Sequence, residues 1–309
     1  MSWQLFRWAW RLEAPVFVGA PPAGSLNRCR LYIPARAVWG ALTAERARLD
    51  LGMSNRGLAA YQDVGEELRR HFRFTYLYPA ERVGEAWRAW LPTYEPRLGL
   101  CWQREDRSAD APVPDRVFRC RLLHTRPATA IDPKSDSAAS GSLRETECLE
   151  TRWRDERGED AGPVALVGYV FAKESAGTPS PGIDRLTPIR RLFLGGDTRY
   201  GLGRVSRKAP DSVNPVDRVF GCRVELDGEE PVVHSKIALA HALAEAQMSG
   251  ALEVVSGWDF GQQTTLDKKG APLWRPGSHV RAFNGKGRFR IDPCGIWHLE
   301  APDHSAEAR

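Results

Sequence analysis

The sequence lacks the features of several protein classes. It has no apolar run near the roughly 18 residues that a membrane span requires, and Arg7 and Arg11 interrupt any apolar core of a signal peptide near the N-terminus. Its six cysteines form no Cys-x-x-Cys pair, so neither a zinc knuckle nor a disulfide framework is visible. We therefore expect a reduced, cytoplasmic protein without a metal ion, a cofactor or a membrane contact.

Lysine is scarce among the positive residues. The 309-residue chain has 44 Lys and Arg against 39 Asp and Glu, a net charge of +5, and only seven of the 44 are lysine. The planar guanidinium of arginine pairs with phosphate and stacks on bases. A bias in the base composition of the genome would produce the same excess, so the charge permits an anionic partner without requiring one.

Alternating strands and amphipathic helices predict an α+β fold. Residues 3–13 alternate with period 2, with Trp8 and Trp10 on one face, which predicts a half-buried strand. A turn-rich loop at 19–30 follows. A helix is then predicted to start at Pro34, because the missing N–H of proline would be unpaired in the first turn anyway.

The sequence pattern between residues 117 and 160 indicates a further strand, followed by a segment that leaves the core. Residues 117–124 alternate, which indicates a strand with Phe118, Cys120 and Leu122 facing inward. The polar segment 126–160, rich in Ser, Asp and Arg, indicates a long hairpin or arm before the apolar strand that follows it.

The pattern restarts after residue 215. The sequence predicts a strand at 219–226, then a helix capped by Ser235, then further strands from 252 onward. This β-α-β-β order is most of a ferredoxin-like unit. Together with the strand-helix-strand pattern near the N-terminus, this predicts two ferredoxin-like (RRM-type) modules. The first would span residues 1–205 and the smaller second one residues 206–309.

The chain carries one glycine-rich loop. Its glycines are Gly195, Gly196, Gly201 and Gly203. Such a loop lets backbone N–H groups converge on an anion, while Arg199 and Arg204 would supply charge and Tyr200 a ring for base stacking. No Gly-Lys-Ser/Thr follows and the G-x-G-x-x-G spacing is absent, so the loop is neither a P-loop nor a dinucleotide fingerprint. A glycine-rich turn between two strands is the structural alternative.

Two further groups of basic residues suit RNA. Arg28, Arg30 and Arg36 cluster beside the predicted helix start, whose free N–H groups favour phosphate. Lys134 and Arg144 lie on the excursion, from which they could reach a strand of RNA. Binding of single-stranded RNA needs charge along a groove together with aromatic faces.

Four segments, in this order, resemble the RAMP superfamily, the RNA-binding subunits of type III CRISPR effector complexes. The first is Pro15-Val-Phe-Val-Gly19 followed by Tyr32-Ile-Pro-Ala-Arg-Ala-Val-Trp-Gly-Ala-Leu42, similar to the family's glycine loop and "Ile-Pro-Gly-Ser-x-x-x-Gly-x-Leu" helix start. The second is 129–134 with 142–147, similar to the stretch that leads through a thumb-like hairpin. The third, Gly195 to Val205, is similar to the "Gly-Gly-x-x-x-x-Gly-x-Gly-Arg-Val" loop, and the fourth, 256–258 with 274–278, is similar to the ending of the handle-binding subunits.

The resemblance implies a ferredoxin-like core that holds crRNA within a multi-subunit ribonucleoprotein of antiviral defence. One branch of the family forms the filament backbone and slices target RNA with an aspartate of the N-terminal loop. The other branch caps the filament, grips the crRNA 5′ handle and docks the large polymerase-cyclase subunit. Here the loop at 19–30 contains no Asp or Glu, and a neutral amide such as Asn27 neither acts as a base nor holds a divalent metal as a carboxylate does.

The handle-binding branch is therefore favoured, with the excursion at about 126–160 as the thumb-like hairpin and no catalytic residue. The implied partners are the crRNA, the large subunit and a neighbouring backbone RAMP subunit, with target RNA contacted indirectly. Three alternatives stay open. One is an endoribonuclease that processes crRNA precursors with a histidine such as His71, His124 or His279. The others are a slicing subunit that uses Asp132, and a scaffold that touches only protein.

Overall fold

The computed structural model describes residues 1–51, 57–107, 109–174, 182–207, 214–243, 248–255, 272–281, 285 and 287–300. It confirms a mixed α+β architecture that is rich in strands. The α-helices of these ranges are α1 (Ala35–Leu51), α2 (Gly57–His71) and α3 (Asp115–Leu122), and single 3₁₀ turns occur at Ile183–Arg185 and Thr198–Tyr200. None of the helices within the described ranges combines the length and apolarity that crossing a bilayer requires.

The strands are short outside the central sheet. In the first half they are β1 (Ser2–Leu12), β2 (Leu26–Asn27), β3 (Phe72–Phe74), β4 (Tyr78–Val83), β5 (Ala86–Glu95), β6 (Gly99–Arg104), β7 (Val113–Pro114), β8 (Leu123–Ala128), β9 (Ile131–Asp132), β10 (Ser137–Ala138), β11 (Arg144–Leu149), β12 (Arg152–Arg154) and β13 (Asp160–Pro163). In the second half they are β14 (Ala165–Glu174), β15 (Arg191–Phe193), β16 (Arg204–Ser206), β17 (Arg218–Val219), β18 (Cys222–Glu225), β19 (Val232–Ser235), β20 (Ala242–Leu243), β21 (Met248–Ser249), β22 (Leu252–Glu253), β23 (Leu273–Trp274), β24 (His279–Val280), β25 (Gly287–Ile291) and β26 (Trp297–Glu300).

The main sheet is built around β1. Its strand order is β15-β16-β1-β14-β4-β5-β6-β7, and β3 also pairs with β14. Strands β1 and β14 run antiparallel from Ser2↔Glu174 to Arg11↔Ala165 without a register shift. Helices α1 and α2 pack against each other and against β3. The glycine-rich loop therefore connects β15 and β16, next to the central strand.

The alternation predicted for the first strand is confirmed. Trp8 and Trp10 are buried on one face, with their rings 5.9 Å apart. Trp3 and Leu5, on the opposite face, are buried as well, and the segment around 216–226 runs along the edge of that end of the strand. The Val216 N–H donates to the Leu5 carbonyl, and the Trp3 N–H donates to the Leu226 carbonyl.

The excursion predicted at 126–160 is a hairpin. Strands β8 and β11 pair antiparallel from Leu123↔Leu149 to Ala128↔Arg144, and a two-stranded tip of β9 and β10 joins them. Strand β2 pairs parallel to the other edge of β11, so the loop at 19–30 is attached to the base of the hairpin. A second hairpin, β12–β13, leads back to the main sheet.

The strand predicted at 117–124 is wrong, because residues 115–122 form helix α3. Phe118 and Leu122 are buried, whereas Cys120 is exposed. Residues four apart share a face of a helix and also share a face of a strand, so these two side chains fit both periods. Cys120 distinguishes the two, and its exposure fits only the helix.

The helix predicted after Ser235 is wrong as well. Ser235 ends β19, and its hydroxyl donates to the Ile237 carbonyl at 2.6 Å and accepts from the Ile237 N–H at 3.1 Å. This local turn competes with a helix cap for the same side chain. Within 214–243 the structure shows strands and bends, so a ferredoxin-like second module and the boundary at 205 stay predictions. Ser256–Trp258 lies outside the described residues.

Helix α3 can be tested against the strand interpretation with two variants. The Phe118 ring stacks on Trp102 with centroids 4.7 Å apart and also contacts Trp90 and Trp153. We expect Phe118→Ala to lower the free energy of unfolding by about 3–5 kcal/mol. Cys120→Ala should change it by less than about 0.5 kcal/mol. Equal losses in urea unfolding would favour the strand.

Candidate nucleic-acid interface

Strands β2, β11 and β8 form a small sheet that separates two cavities. Successive side chains of β11 point to opposite sides. Arg144, Thr146 and Cys148 line a cavity of about 450 Å³ between the β8–β11 hairpin and the glycine-rich loop, called here the hairpin groove. On the other side, Glu147 faces the loop at 19–30, which borders a second cavity of about 500 Å³, called here the loop cleft.

The hairpin groove brings two predicted residues together. The Arg144 guanidinium lies 5.5 Å from the centroid of the Tyr200 ring and 3.3 Å from the Asp197 carboxylate. Tyr200 is 74% exposed, so its ring is available for stacking. Arg126, which the sequence analysis did not single out, lines the same groove. Two guanidiniums and an open aromatic face therefore share one surface with a single carboxylate.

Two of the four glycines hold the glycine-rich loop to residues 15–17, which lie between β1 and β2. The Gly196 N–H donates to the Phe17 carbonyl and the Gly203 N–H donates to the Pro15 carbonyl, both at 2.8 Å. A Cβ on Gly195 would lie 2.1 Å from the Phe17 oxygen. The amides of Gly196 and Gly203 are thus engaged within the protein, contrary to the predicted convergence on an anion.

The charged side chains of the glycine-rich loop differ in whether they form ion pairs within the protein. Arg204 forms an ion pair with Glu13 at 2.9 Å. Arg199 is exposed and has no ion pair within the described part of the chain. Asp197 adopts the left-handed conformation, with φ at 55°. The loop therefore presents Arg199 and Tyr200 to solvent, while Arg204, although also exposed, is paired with Glu13 directly after β1.

The three arginines predicted near the helix start lie around the loop cleft. Arg28 and Arg30 line it, and Arg36 lines an adjoining cavity at the start of α1. Arg30 forms an ion pair with Glu253 and donates to the Gly19 carbonyl. Arg275, from the C-terminal part of the chain, lies 3.2 Å from the same carboxylate. Arg28 is exposed and forms no ion pair with the described residues.

A buried polar chain lies behind the loop cleft. The Tyr76 hydroxyl is 2.7 Å from His241 Nδ1, and His241 Nε2 is 3.2 Å from Glu253. Burial lowers the pKa of His241, although Glu253 opposes the shift. A neutral imidazole that accepts from Tyr76 and donates to Glu253 satisfies all three groups. No sequence motif marks these three side chains, because Tyr76 lies 165 residues before His241.

Two other candidates do not lie in either cavity. Lys134 is exposed at the tip of the hairpin, and its backbone N–H donates to Asp132 at 3.0 Å. Asp132 also accepts from the Ser135 hydroxyl at 3.0 Å, so its carboxylate stabilises the turn that Asp-Pro predicts.

The histidines considered for nuclease chemistry lie outside both linings as well. Burial lowers the pKa of His71 and of His279, and His279 Nε2 is 2.8 Å from the Thr93 hydroxyl. Neither of these residues lines the hairpin groove or the loop cleft, and His124 does not either. Among the described residues, no three His, Cys, Asp or Glu side chains are grouped as metal ligands.

Comparison with known proteins identifies the fold through solved structures. No protein-family model and no curated protein matches the chain. A chain of the type III-B Cmr-beta complex bound to cognate target RNA is similar over 95% of this chain and 98% of its own length, with 12% identity and a TM-score of 0.50. A chain of that complex with target RNA and AMPPnP gives 13% identity, coverage of 90% and 85%, and a TM-score of 0.49. The first likeness shows a shared fold.

The packing role of the glycines can be tested with a matched pair. Gly203 and Gly201 both have φ at 85°, but a Cβ on Gly203 would lie 2.3 Å from the Leu194 oxygen, whereas a Cβ on Gly201 meets nothing within 4 Å. We expect Gly201→Ala to cost about 1–2 kcal/mol of unfolding free energy from its left-handed backbone. Gly203→Ala should cost clearly more. Equal costs in thermal unfolding would show that Gly203 has no packing role.

Proposed function

We propose that the chain is a non-catalytic crRNA-binding subunit of a type III CRISPR effector ribonucleoprotein in antiviral defence. The observation that carries the proposal is the hairpin groove, where Arg144 lies over the exposed Tyr200 ring and Arg126 lines the same cavity. The shared fold supports it, because the similar chain belongs to an effector complex bound to cognate target RNA. The sequence motifs of the RAMP superfamily point to the same class.

The chemistry of the groove suits single-stranded RNA. Guanidiniums bind phosphates, and an exposed ring stacks on a base without selecting its identity. Arg28 and Arg36 extend the basic surface past the base of the hairpin, on the other side of β11. A strand of RNA that follows both cavities would cross the loop at 19–30, where the family resemblance places RNA.

We further propose the position at the crRNA 5′ handle. Asn27, the polar candidate in the loop at 19–30, donates its amide to the Glu145 carbonyl, and Asp132 is engaged in a turn. These contacts support the position at the handle over one in the slicing backbone. In this position the chain would contact the large polymerase-cyclase subunit and a neighbouring backbone RAMP subunit, and it would meet target RNA indirectly.

Removing the two guanidiniums of the groove tests its role. We expect Arg126→Ala with Arg144→Ala to lower the affinity for a handle-containing crRNA at least about tenfold, because charge-assisted contacts are lost. The slope of log affinity against log salt should become shallower by about 1.4, or about 0.7 for each lost phosphate contact. Arg152→Ala is the control, because Arg152 pairs with Asp160 on the β12–β13 hairpin outside both cavities. Equal losses in the control would contradict the assignment.

A substitution of Asp197 raises the positive charge of the hairpin groove instead of lowering it. Asp197→Asn removes a negative charge beside Arg144, and asparagine tolerates the left-handed backbone of this position. We expect tighter RNA binding, with a steeper salt dependence, in a fluorescence titration. Loss of an RNA-cleaving activity in this variant would instead identify Asp197 as catalytic and overturn the non-catalytic assignment.

A further inference from the structure

A further cavity lies on the face of β1 opposite to Trp8 and Trp10. It has a volume of about 690 Å³ and is larger than the hairpin groove and the loop cleft, with which it shares no lining residue. It is called here the sheet basin, and its lining includes Arg11 in β1, Glu13 directly after β1, Arg82 in β4, Trp87 in β5, Pro163 in β13 and Ser206 in β16. The basin is therefore separate from both candidate RNA-binding surfaces.

Two arginines at the basin have no ionic partner within the chain. Ser206 of β16 is paired in register with Arg11 of β1 on one side and with Arg191 of β15 on the other. Directly paired residues of neighbouring strands point to the same face of a sheet. Both arginines are exposed, and neither forms an ion pair with the described residues. The small serine between them leaves an open space bordered by two guanidiniums.

The basin also carries carboxylates, which makes its charge alternate in sign. Glu13 pairs with Arg204 at 2.9 Å, and Glu85 pairs with Arg82 at 2.8 Å although its own side chain is 98% exposed. A phosphate backbone would meet these carboxylates, whereas a protein segment can match both signs. The indole of Trp87 adds the apolar area that is typical, together with arginine, of protein–protein interfaces. The composition therefore favours a protein partner.

The turn of the β12–β13 hairpin has the complementary charges. The Asp155 carboxylate closes this turn, because it accepts from the backbone N–H groups of Arg157 and Glu159, both at 2.8 Å. Glu156, Arg157 and Glu159 are exposed, and none of them forms an ion pair with the described residues. The hairpin leaves the sheet at Pro163, which lines the basin. An acidic turn with one central arginine therefore extends from the rim of a basic surface.

We propose that the sheet basin binds the β12–β13 turn of a second copy of this chain. The two glutamates of the turn would pair with Arg11 and Arg191. Arg157 between them would meet Glu85. Because the turn extends from the rim of the basin, a single two-fold axis lets each copy insert its turn into the other, as in an isologous dimer. This inference goes beyond the proposed function and does not rest on it.

Charge reversal on either side tests the contact. The variant Glu156→Arg with Glu159→Arg reverses the turn, and Arg11→Glu with Arg191→Glu reverses the basin. We expect the wild-type dimer to have a dissociation constant on the order of micromolar in sedimentation equilibrium at about 0.05 M salt. It should weaken at least about tenfold at about 0.5 M salt. Each reversed variant should weaken it at least about a hundredfold, because like charges then face each other in both contacts.

A mixture of the two reversed variants restores both contacts. One turn is then positive and meets a negative basin, while the other turn is negative and meets a positive basin. We expect the mixture to form a heterodimer with about the wild-type affinity, although neither variant dimerises alone. The control is Asp63→Arg with Glu229→Arg, because both carboxylates are exposed and neither lines the basin. It has the same charge change as the turn variant and should dimerise like the wild type. Thermal unfolding checks that each variant is folded.

Each outcome decides the proposal. Recovery of the dimer in the mixture, after its loss in both separate variants, supports the reciprocal contact. A wild type that stays monomeric at about 100 μM, a dimer that survives either reversal, or a mixture that stays monomeric overturns it. Loss of crRNA affinity in the basin variant without any dimer would show that the basin binds RNA, which also overturns it. The crRNA titration of the wild type tests the proposed function separately, and its failure leaves the dimer measurement unaffected.

Discussion

The pairing of β11 on both of its edges determines where both candidate binding surfaces lie. It runs antiparallel to β8 and parallel to β2, so the hairpin and the loop at 19–30 are fixed to one strand. Alternate side chains then face the hairpin groove or the loop cleft. Glu147 adds to this attachment because it accepts from the Cys29 N–H at 2.9 Å and pairs with Arg119 at 2.5 Å. A slip of one residue would exchange the two faces and remove Arg144 from the groove.

A second constraint holds the C-terminal part of the chain to the loop cleft. Glu253 is buried, and a buried carboxylate is unfavourable unless it is paired. Burial alone would raise the pKa of Glu253, but the hydrogen bond from His241 and the charge of Arg30 bring it below its usual value. The carboxylate is therefore ionised and binds groups from both ends of the sequence. The cleft exists only where these parts meet.

Sequence periodicity predicted β1, whose Trp8 and Trp10 are buried on one face. The polar composition of 126–160 predicted the hairpin. Periodicity misread α3, because Phe118 and Leu122 satisfy two periods, and it misread Ser235, whose hydroxyl stabilises a turn. For the candidate nucleic-acid interface, the sequence predicted that arginines take part but not which of them are paired with carboxylates. Glu253, the partner of Arg30, lies more than two hundred residues away in the sequence, and only the tertiary fold shows which guanidiniums are engaged.

We propose that the chain binds crRNA through the handle without cutting it. The direct test is a titration of the purified protein with labelled crRNA that carries the repeat-derived 5′ handle, next to a scrambled-handle RNA and a complementary target, with and without Mg²⁺. We expect tighter binding of the handle RNA, with every strand intact. Cleavage of a crRNA precursor or Mg²⁺-dependent cleavage of the target would contradict it, and so would equal affinity for the scrambled handle.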